Sequence, residues 1–116
     1  MSFETIEPDV DEASRYWEPL IEGESIEGNV LNFVVDNYGN TRILLELEGG
    51  FVKELPSHRD LRRYNRKVEI GDYIRVTLRK IIPNNNPDYA DKRVYKVEKD
   101  PSRRVEYEEK WEEYDY

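Results

Sequence analysis

The chain lacks cysteine altogether, has a single histidine and contains no long apolar run. Without cysteine it forms no disulfide and no thiolate metal site, and His58 alone does not make a nitrogen-rich zinc or iron site. No segment approaches the roughly 20 apolar residues of a membrane-spanning helix. Residues 1–4 lack the basic and apolar regions of a signal peptide. We therefore expect a cytoplasmic protein without metal, cofactor or membrane contact.

Catalytic groupings are also scarce. No pair of carboxylates stands out from the general acidity of the chain, and no nucleophile has an evident base beside it. A hydrolase is the function that the sequence supports least, so we predict that the protein is not an enzyme.

Charge, in contrast, is abundant and unevenly distributed. The net charge is −8, yet the region from Glu24 to Arg104 holds 16 basic and 13 acidic residues. The first 23 residues hold seven acidic residues and one arginine, and the last twelve hold six acidic residues and one lysine. A basic middle between acidic ends predicts one small domain able to attract a polyanion. We divide the chain into an acidic mobile arm (1–15), a folded domain (16–104) and an acidic, aromatic tail (105–116).

Alternating apolar residues and turn signals predict five strands in the folded domain. The predicted strands are Ser25–Asp36, Thr41–Glu48, Phe51–Leu55, Tyr73–Ile82 and Lys92–Glu98. Gly28 interrupts the first strand and indicates a bend, since a residue without Cβ allows one. Ser57, followed three residues later by Asp60, forms a capping-box pattern, which predicts a short helix through about Lys67.

The order of three strands, a helix and two strands resembles the OB-fold, an all-β, five-stranded Greek-key barrel. The segment Val68–Val76, with Gly71-Asp72 at its centre, and the bent first strand carry this resemblance over about residues 20 to 100. The resemblance implies nucleic-acid binding. The closest functional analogy is to small single-stranded DNA-binding proteins that end in an acidic, aromatic tail. OB barrels bind ligands along strands two and three, between the loops after strands one and four.

That surface holds the candidate binding residues, in which rings would stack on bases and cations would meet phosphates. The predicted nucleic-acid-binding residues are Tyr38, Arg42, Leu44, Phe51, Lys53, Arg75, Arg79, Tyr89 and Arg93. Tyr38 and Tyr89 are the preferred stacking rings, because they lie in polar turns. Phe51 is equally well a core residue, since strand alternation places it with Leu55. The cations, if they point outward, are alternatively a solvated face.

Two charged segments have alternative interpretations. The predicted helix carries the densest positive patch, for which we favour an intramolecular contact with an acidic end over a direct contact with nucleic acid. The residues of this patch are Arg59, Arg62, Arg63, Arg66 and Lys67. In the tail, aromatic residues recur with the spacing of one helix face. Either the tail is a docked amphipathic helix, or it is mobile, occupies the groove and is released to bind replication or repair proteins. Its candidate residues are Tyr107, Trp111, Tyr114 and Tyr116.

These patterns lead to one hypothesis and two rivals. The hypothesis is a non-catalytic protein that binds single-stranded nucleic acid, DNA rather than RNA, with little sequence preference, in replication, repair or recombination. The main rival is an adaptor that uses the barrel for a protein contact, which the net charge of −8 favours. The other rival is an RNA-binding barrel.

Overall fold

The computed structural model describes residue 3 and residues 15–107, and this part of the chain forms one five-stranded antiparallel sheet with little helix. The strands are β1 (Ser25–Val35), β2 (Thr41–Glu46), β3 (Val52–Glu54), β4 (Tyr73–Ile82) and β5 (Lys92–Asp100). One short helix, α1 (Arg59–Arg62), lies between β3 and β4. Single 3-10 turns follow β2 (Glu48–Gly50) and β5 (Pro101–Arg103). The predicted order of three strands, a helix and two strands is confirmed.

The strands lie in the order β3-β2-β1-β4-β5, with β1 at the centre. The first half of β1 pairs with β4 and its second half with β2, and Asn29 is the residue that pairs with both. A Cβ on Gly28 would lie 2.5 Å from the carbonyl oxygen of Glu46, so β1 and β2 approach too closely there for any side chain. The glycine that interrupts the predicted first strand therefore marks the change of partner. Among residues 15–107, no pairing joins β3 to β5.

One face of the sheet, together with α1 and its neighbouring turns, encloses the core. Alternate residues of β2 and β4 point into it, as their sequence pattern predicts. Burying each large aliphatic side chain contributes about 1.5–3 kcal/mol of favourable transfer free energy. The buried apolar residues are Val30, Ile43, Leu45, Leu55, Leu61, Val68, Ile74, Val76, Leu78 and Tyr95.

The helix is shorter than predicted, and the capping-box prediction is wrong. After α1 the chain continues through turns to Lys67. The residue at the N-cap is His58 rather than Ser57, and no side chain caps the helix. Asp60 accepts a hydrogen bond from the backbone amide of Tyr95 (2.7 Å) instead of serving the helix start. The carboxylate of Asp60, which the local sequence pattern assigned to the helix cap, therefore forms a tertiary contact with β5.

After β5 the chain folds back onto the sheet. The amide of Val105 donates to the carbonyl of Gly71 (2.9 Å), and a Cβ on Gly71 would collide with Val105. Gly71 also has a φ of +96°, so two constraints select glycine there. The Tyr107 hydroxyl then donates to Glu46 of β2 (3.1 Å). Three of the predicted tail residues, Trp111, Tyr114 and Tyr116, lie outside the described residues, as does most of the acidic arm.

Asp72, in the turn before β4, fixes this returning segment to the sheet. Its carboxylate is buried and accepts hydrogen bonds from the backbone amide of Glu69 (2.8 Å) and from the guanidinium of Arg104. The ammonium of Lys99 lies 3.1 Å away. Burial alone would raise the pKa of Asp72, but these donors outweigh it and hold the pKa below its ordinary value of 3.8.

Candidate nucleic-acid interface

The face predicted to bind nucleic acid is the side of β1, β2 and β3 that points away from the core. Directly opposed residues in an antiparallel pair share a face. The register places Arg42 opposite Val34, and Leu44 opposite both Asn32 and Glu54. Leu44 is half-buried there. This face therefore holds one predicted cation and one predicted apolar residue beside a carboxylate.

Arg42, at the centre of that face, is held by carboxylates. Its Nε lies 3.2 Å from Asp36 and its terminal nitrogen 3.1 Å from Glu54, which is only 7 % exposed. The ring of Tyr16 lies 5.9 Å from the guanidinium carbon. The Asn40 amide, with smaller contributions from the Tyr38 amide and Arg42, lowers the pKa of Asp36. Two carboxylates thus surround Arg42, and they balance its charge.

Two further predicted residues of this region lie away from Arg42. Lys53 lies opposite Leu45, so it is on the core side of the edge strand and not on the face of Arg42. The physical reason is that Glu54, the ion-pair partner of Arg42, takes the outward position in β3. Phe51 precedes β3 and is 70 % exposed, which excludes its interpretation as a core residue. Lys53 and Phe51 therefore do not form one continuous surface with Arg42.

The predicted cations of β4 are similarly dispersed. Arg75 lies on the outer face between Glu27 of β1 (3.9 Å) and Glu98 of β5 (3.4 Å). Arg79 is exposed at the bulge of β4, where the register with β5 shifts. Cross-strand carboxylates thus balance Arg75 as they balance Arg42, while Arg79 belongs to an irregular edge.

The two preferred stacking rings are the most solvent-exposed tyrosines of the described chain. Tyr38 is 89 % exposed in the turn between β1 and β2, and Tyr89 is 67 % exposed in the loop between β4 and β5. The side chain of Asp36 accepts the amide of Tyr38 (2.9 Å), and Asn86 similarly accepts the amide of Asp88 (3.0 Å). Ordered turns therefore present both rings to solvent, which leaves their faces open to a ligand.

Positive charge is instead concentrated around α1. A cleft of about 680 Å³ opens between α1 and the first residues of β5. Its cationic lining is Arg59, Arg63, Lys92 and Arg93, and its other lining residues are His58, Asp60 and Asp91. Arg93 is one of the residues that the sequence predicts to bind nucleic acid, whereas Lys92 beside it is not.

The cations of this cleft are less neutralised than those of the sheet. Within the described part of the chain, Arg63 pairs with Asp60 (3.4 Å), and no ion pair involves Arg59, Lys92 or Arg93. The Nε of Arg93 is buried and has no hydrogen-bond partner in the structure. The cleft therefore presents more positive charge than its two aspartates balance.

On the other side of α1 lies a second, smaller recess of about 430 Å³. It is lined by Phe33, Thr41, Arg62, Arg63, Asn65 and Arg66. Arg62 donates to the side chain of Asn40 (2.8 Å), and Asn65 donates to the carbonyl of Thr41 (3.1 Å). These bonds attach the α1 region to the turn that carries Tyr38, while the cleft adjoins the end of the loop that carries Tyr89. We name the cations of both recesses, Arg59, Arg62, Arg63, Arg66, Lys92 and Arg93, the α1 surface.

His58 lies at the edge of the cleft and packs against β5. Its ring stacks on that of Tyr95 (centroids 5.8 Å apart), and its Nδ1 lies 2.6 Å from the Tyr95 hydroxyl. Burial lowers the pKa of His58, and the charges of Arg93 and Arg42 lower it further against an opposing effect of Glu18. Burial also raises the pKa of Tyr95 to about 12. His58 is thus a neutral packing residue, and the charges in the cleft change the pKa of its ring.

Comparison with known proteins found no matching family model, no similar curated protein and no similar solved structure. The chain is therefore characterised by its own geometry, as a β-sheet protein with exposed tyrosines and an arginine-rich surface. Within residues 15–107, no helix has the length and apolarity needed to cross a membrane. The same residues include no group of three or more histidine, aspartate or glutamate side chains arranged to hold a metal ion.

Proposed function

We propose that this protein binds single-stranded nucleic acid, DNA more strongly than RNA, with little sequence preference and without catalysis, in replication, repair or recombination. The proposal includes an OB-fold barrel, because the observed order β3-β2-β1-β4-β5 becomes that barrel when β3 meets β5. The observation that carries it is the position of the α1 surface between the turn of Tyr38 and the loop of Tyr89. The proposal thus assigns to nucleic acid the cations for which the sequence favoured an intramolecular contact, and most of the acidic ends lie outside the described residues.

Rings and cations in this arrangement suit an unpaired strand. Unstacked bases expose faces that stack on tyrosine for about 1–3 kcal/mol each, and arginines bind the phosphates between them. Stacking does not read base edges, so the sequence preference is small. A duplex hides its base faces, so the two exposed tyrosines would contribute nothing to binding it.

A titration of fluorescent oligothymidine at two salt concentrations tests this proposal. With about five phosphate contacts, affinity falls roughly a hundredfold between about 50 and about 200 mM salt. An oligouridine of equal length distinguishes RNA from DNA, and a duplex of equal length is the control and binds more weakly. Binding that does not depend on salt, or no binding at the lower concentration, contradicts the proposal.

A second candidate function is that of a protein adaptor, and the neutralised Arg42 favours it. A recess of about 480 Å³ on that face includes Tyr16, Val35 and Tyr38 together with both acidic and basic side chains. Val35, at the end of β1, is 69 % exposed and gives this recess an apolar side chain that a protein partner would cover. The adaptor predicts that Val35→Glu abolishes capture of a protein partner and that the wild-type chain binds no oligonucleotide.

A further inference from the structure

The cleft between α1 and β5 combines three features that a phosphate site needs. It has a volume of about 680 Å³, which admits a phosphodiester with part of its sugar. Arg59, Lys92 and Arg93 line it without forming an ion pair with any other described residue. The side chain of Arg93 lines the cleft, and its Nε is buried without a hydrogen-bond partner, a costly condition in a folded protein.

The two aspartates of the cleft form no ion pair with Arg59, Lys92 or Arg93. One oxygen of Asp60 accepts the backbone amide of Tyr95 (2.7 Å) and the other lies 3.4 Å from Arg63, so each oxygen already has a partner. Asp91 accepts the backbone amide of Asn84 (3.1 Å) and thereby closes the base of the β4–β5 loop. Both acids hold backbone segments in place, and the remaining positive charge faces the cleft.

We propose that this cleft binds backbone phosphates of the single strand, and that the phosphate contacts lie here and not on the outer face of β2 and β3. This inference rests on the proposed function. Guanidinium groups match phosphate oxygens in paired hydrogen bonds, and Lys92 adds a point charge. A nucleic-acid strand that leaves the cleft beside Lys92 passes the β4–β5 loop, which carries Tyr89. Bases next to the bound phosphates then reach the ring of Tyr89.

Two double variants of equal charge locate the phosphate contacts. Arg59→Gln with Lys92→Gln removes two exposed cations of the cleft, whereas Arg75→Gln with Lys96→Gln removes two exposed, ion-paired cations of the sheet. Losing two contacts lowers oligothymidine affinity roughly 25-fold at about 0.1 M salt and reduces the slope of log affinity against log salt by about 1.4. The sheet variant changes the overall charge equally and keeps the wild-type slope. Circular dichroism and urea unfolding confirm that each variant is folded.

The single histidine gives a second measurement that needs no variant. His58 lines the cleft, and in NMR spectra its ring signals are the only ones of their kind in the chain. A phosphate beside Arg93 offsets the charge that depresses the His58 pKa, so saturation with oligothymidine raises that pKa. The groups that face or act on His58 are Arg59, Asp60 and Arg63 near α1, Asp91, Lys92, Arg93 and Tyr95 at β5, Glu18, and Arg42 of β2.

The outcomes separate this inference from the proposed function. If the wild-type chain binds oligothymidine but the two double variants are weakened equally, or neither is, the cleft is not the phosphate site and the function stands. If saturating oligothymidine leaves the pKa of His58 unchanged, the assignment of the phosphate site to the cleft is likewise overturned. If the wild-type chain binds no oligothymidine, the proposed function fails and this inference fails with it.

Discussion

The outer sheet face and the α1 surface both contain arginines, but they use them differently. On the sheet, Arg42 and Arg75 each lie between two carboxylates contributed by the turn after β1 or by neighbouring strands. On the α1 surface, only Arg63 pairs with a carboxylate of the described residues, and Arg93 has a buried nitrogen without a partner. The arginines of the sheet are thus paired within the fold, whereas most cations around α1 form no ion pair with another described residue.

Strand geometry explains this difference. Cross-strand neighbours in an antiparallel sheet lie about 4.5–5.5 Å apart. A cation placed opposite or diagonal to an acidic residue therefore forms an ion pair with it. A short helix followed by turns points its side chains in divergent directions. Arg59, Arg62 and Arg66 are all exposed there and meet few acids. Like charges on one surface cost stability.

The largest effect expected from this comparison is the loss of stability in Arg42→Met. This substitution leaves the buried carboxylate of Glu54 without its cation, so the free energy of unfolding falls by about 3 kcal/mol. Urea unfolding followed by circular dichroism measures it. Adding Glu54→Gln to Arg42→Met restores at least half of the loss, because a neutral amide needs no cation. If the free energy of unfolding falls by less than about 0.5 kcal/mol, Arg42 contributes no more to stability than an ordinary surface cation.

The next effect concerns Asp72, whose carboxylate joins the sheet to Arg104. Its pKa is lower in the folded than in the unfolded chain, where it is near 3.8. The stabilisation it gives is therefore complete above about pH 4 and is lost as pH falls through the lower, folded value. Asp72→Asn reduces the free energy of unfolding at pH 7 by about 2 kcal/mol and removes that part of the acid dependence. Asp88→Asn, in the exposed β4–β5 loop, is the control and changes neither.

Tyr38 and Phe51 provide a smaller and more specific test. Both rings are exposed, but they lie at opposite ends of β2, and only Tyr38 is in the turn attached to the α1 region. Tyr38→Ser lowers oligothymidine affinity about tenfold, as expected for one lost stacking contact. Phe51→Ser leaves affinity unchanged, and neither substitution alters the urea midpoint. Equal losses from both variants would favour the outer face of β2 and β3 as the binding surface.

The smallest effect is expected for Arg66→Gln, which is the α1 counterpart of Arg42→Met. Arg66 is exposed and forms no ion pair with another described residue, so unfolding free energy changes by less than about 0.5 kcal/mol. The change is slightly stabilising, because one positive charge leaves a basic surface. A loss of more than about 1 kcal/mol in urea unfolding would show that the α1 cations also serve the fold.

The strands were predictable, and the site was predictable only in part. β4 begins and ends where its alternating pattern predicts, and Tyr38 and Tyr89 are exposed in turns as their polar surroundings indicate. The position of Lys53 follows from the same alternation that groups Phe51 with Leu55, so the sequence already held that signal. The neutralisation of Arg42 was not predictable, because it depends on which side chains strand pairing brings together. The cations of the predicted helix were visible in the sequence, but the cleft they form with Lys92 and Arg93 exists only once β5 packs beside α1.

The amino-acid sequence by itself determined the strand order along the chain and the core-facing residues. It also determined the interruption of the first strand at Gly28 and the excess of positive charge in the middle. These features follow from local periodicity and composition, which act over a few residues. Only the tertiary structure decided which cations meet carboxylates and which remain unbalanced. That outcome depends on distances of 3–4 Å between side chains from separate strands, and strand pairing sets those distances.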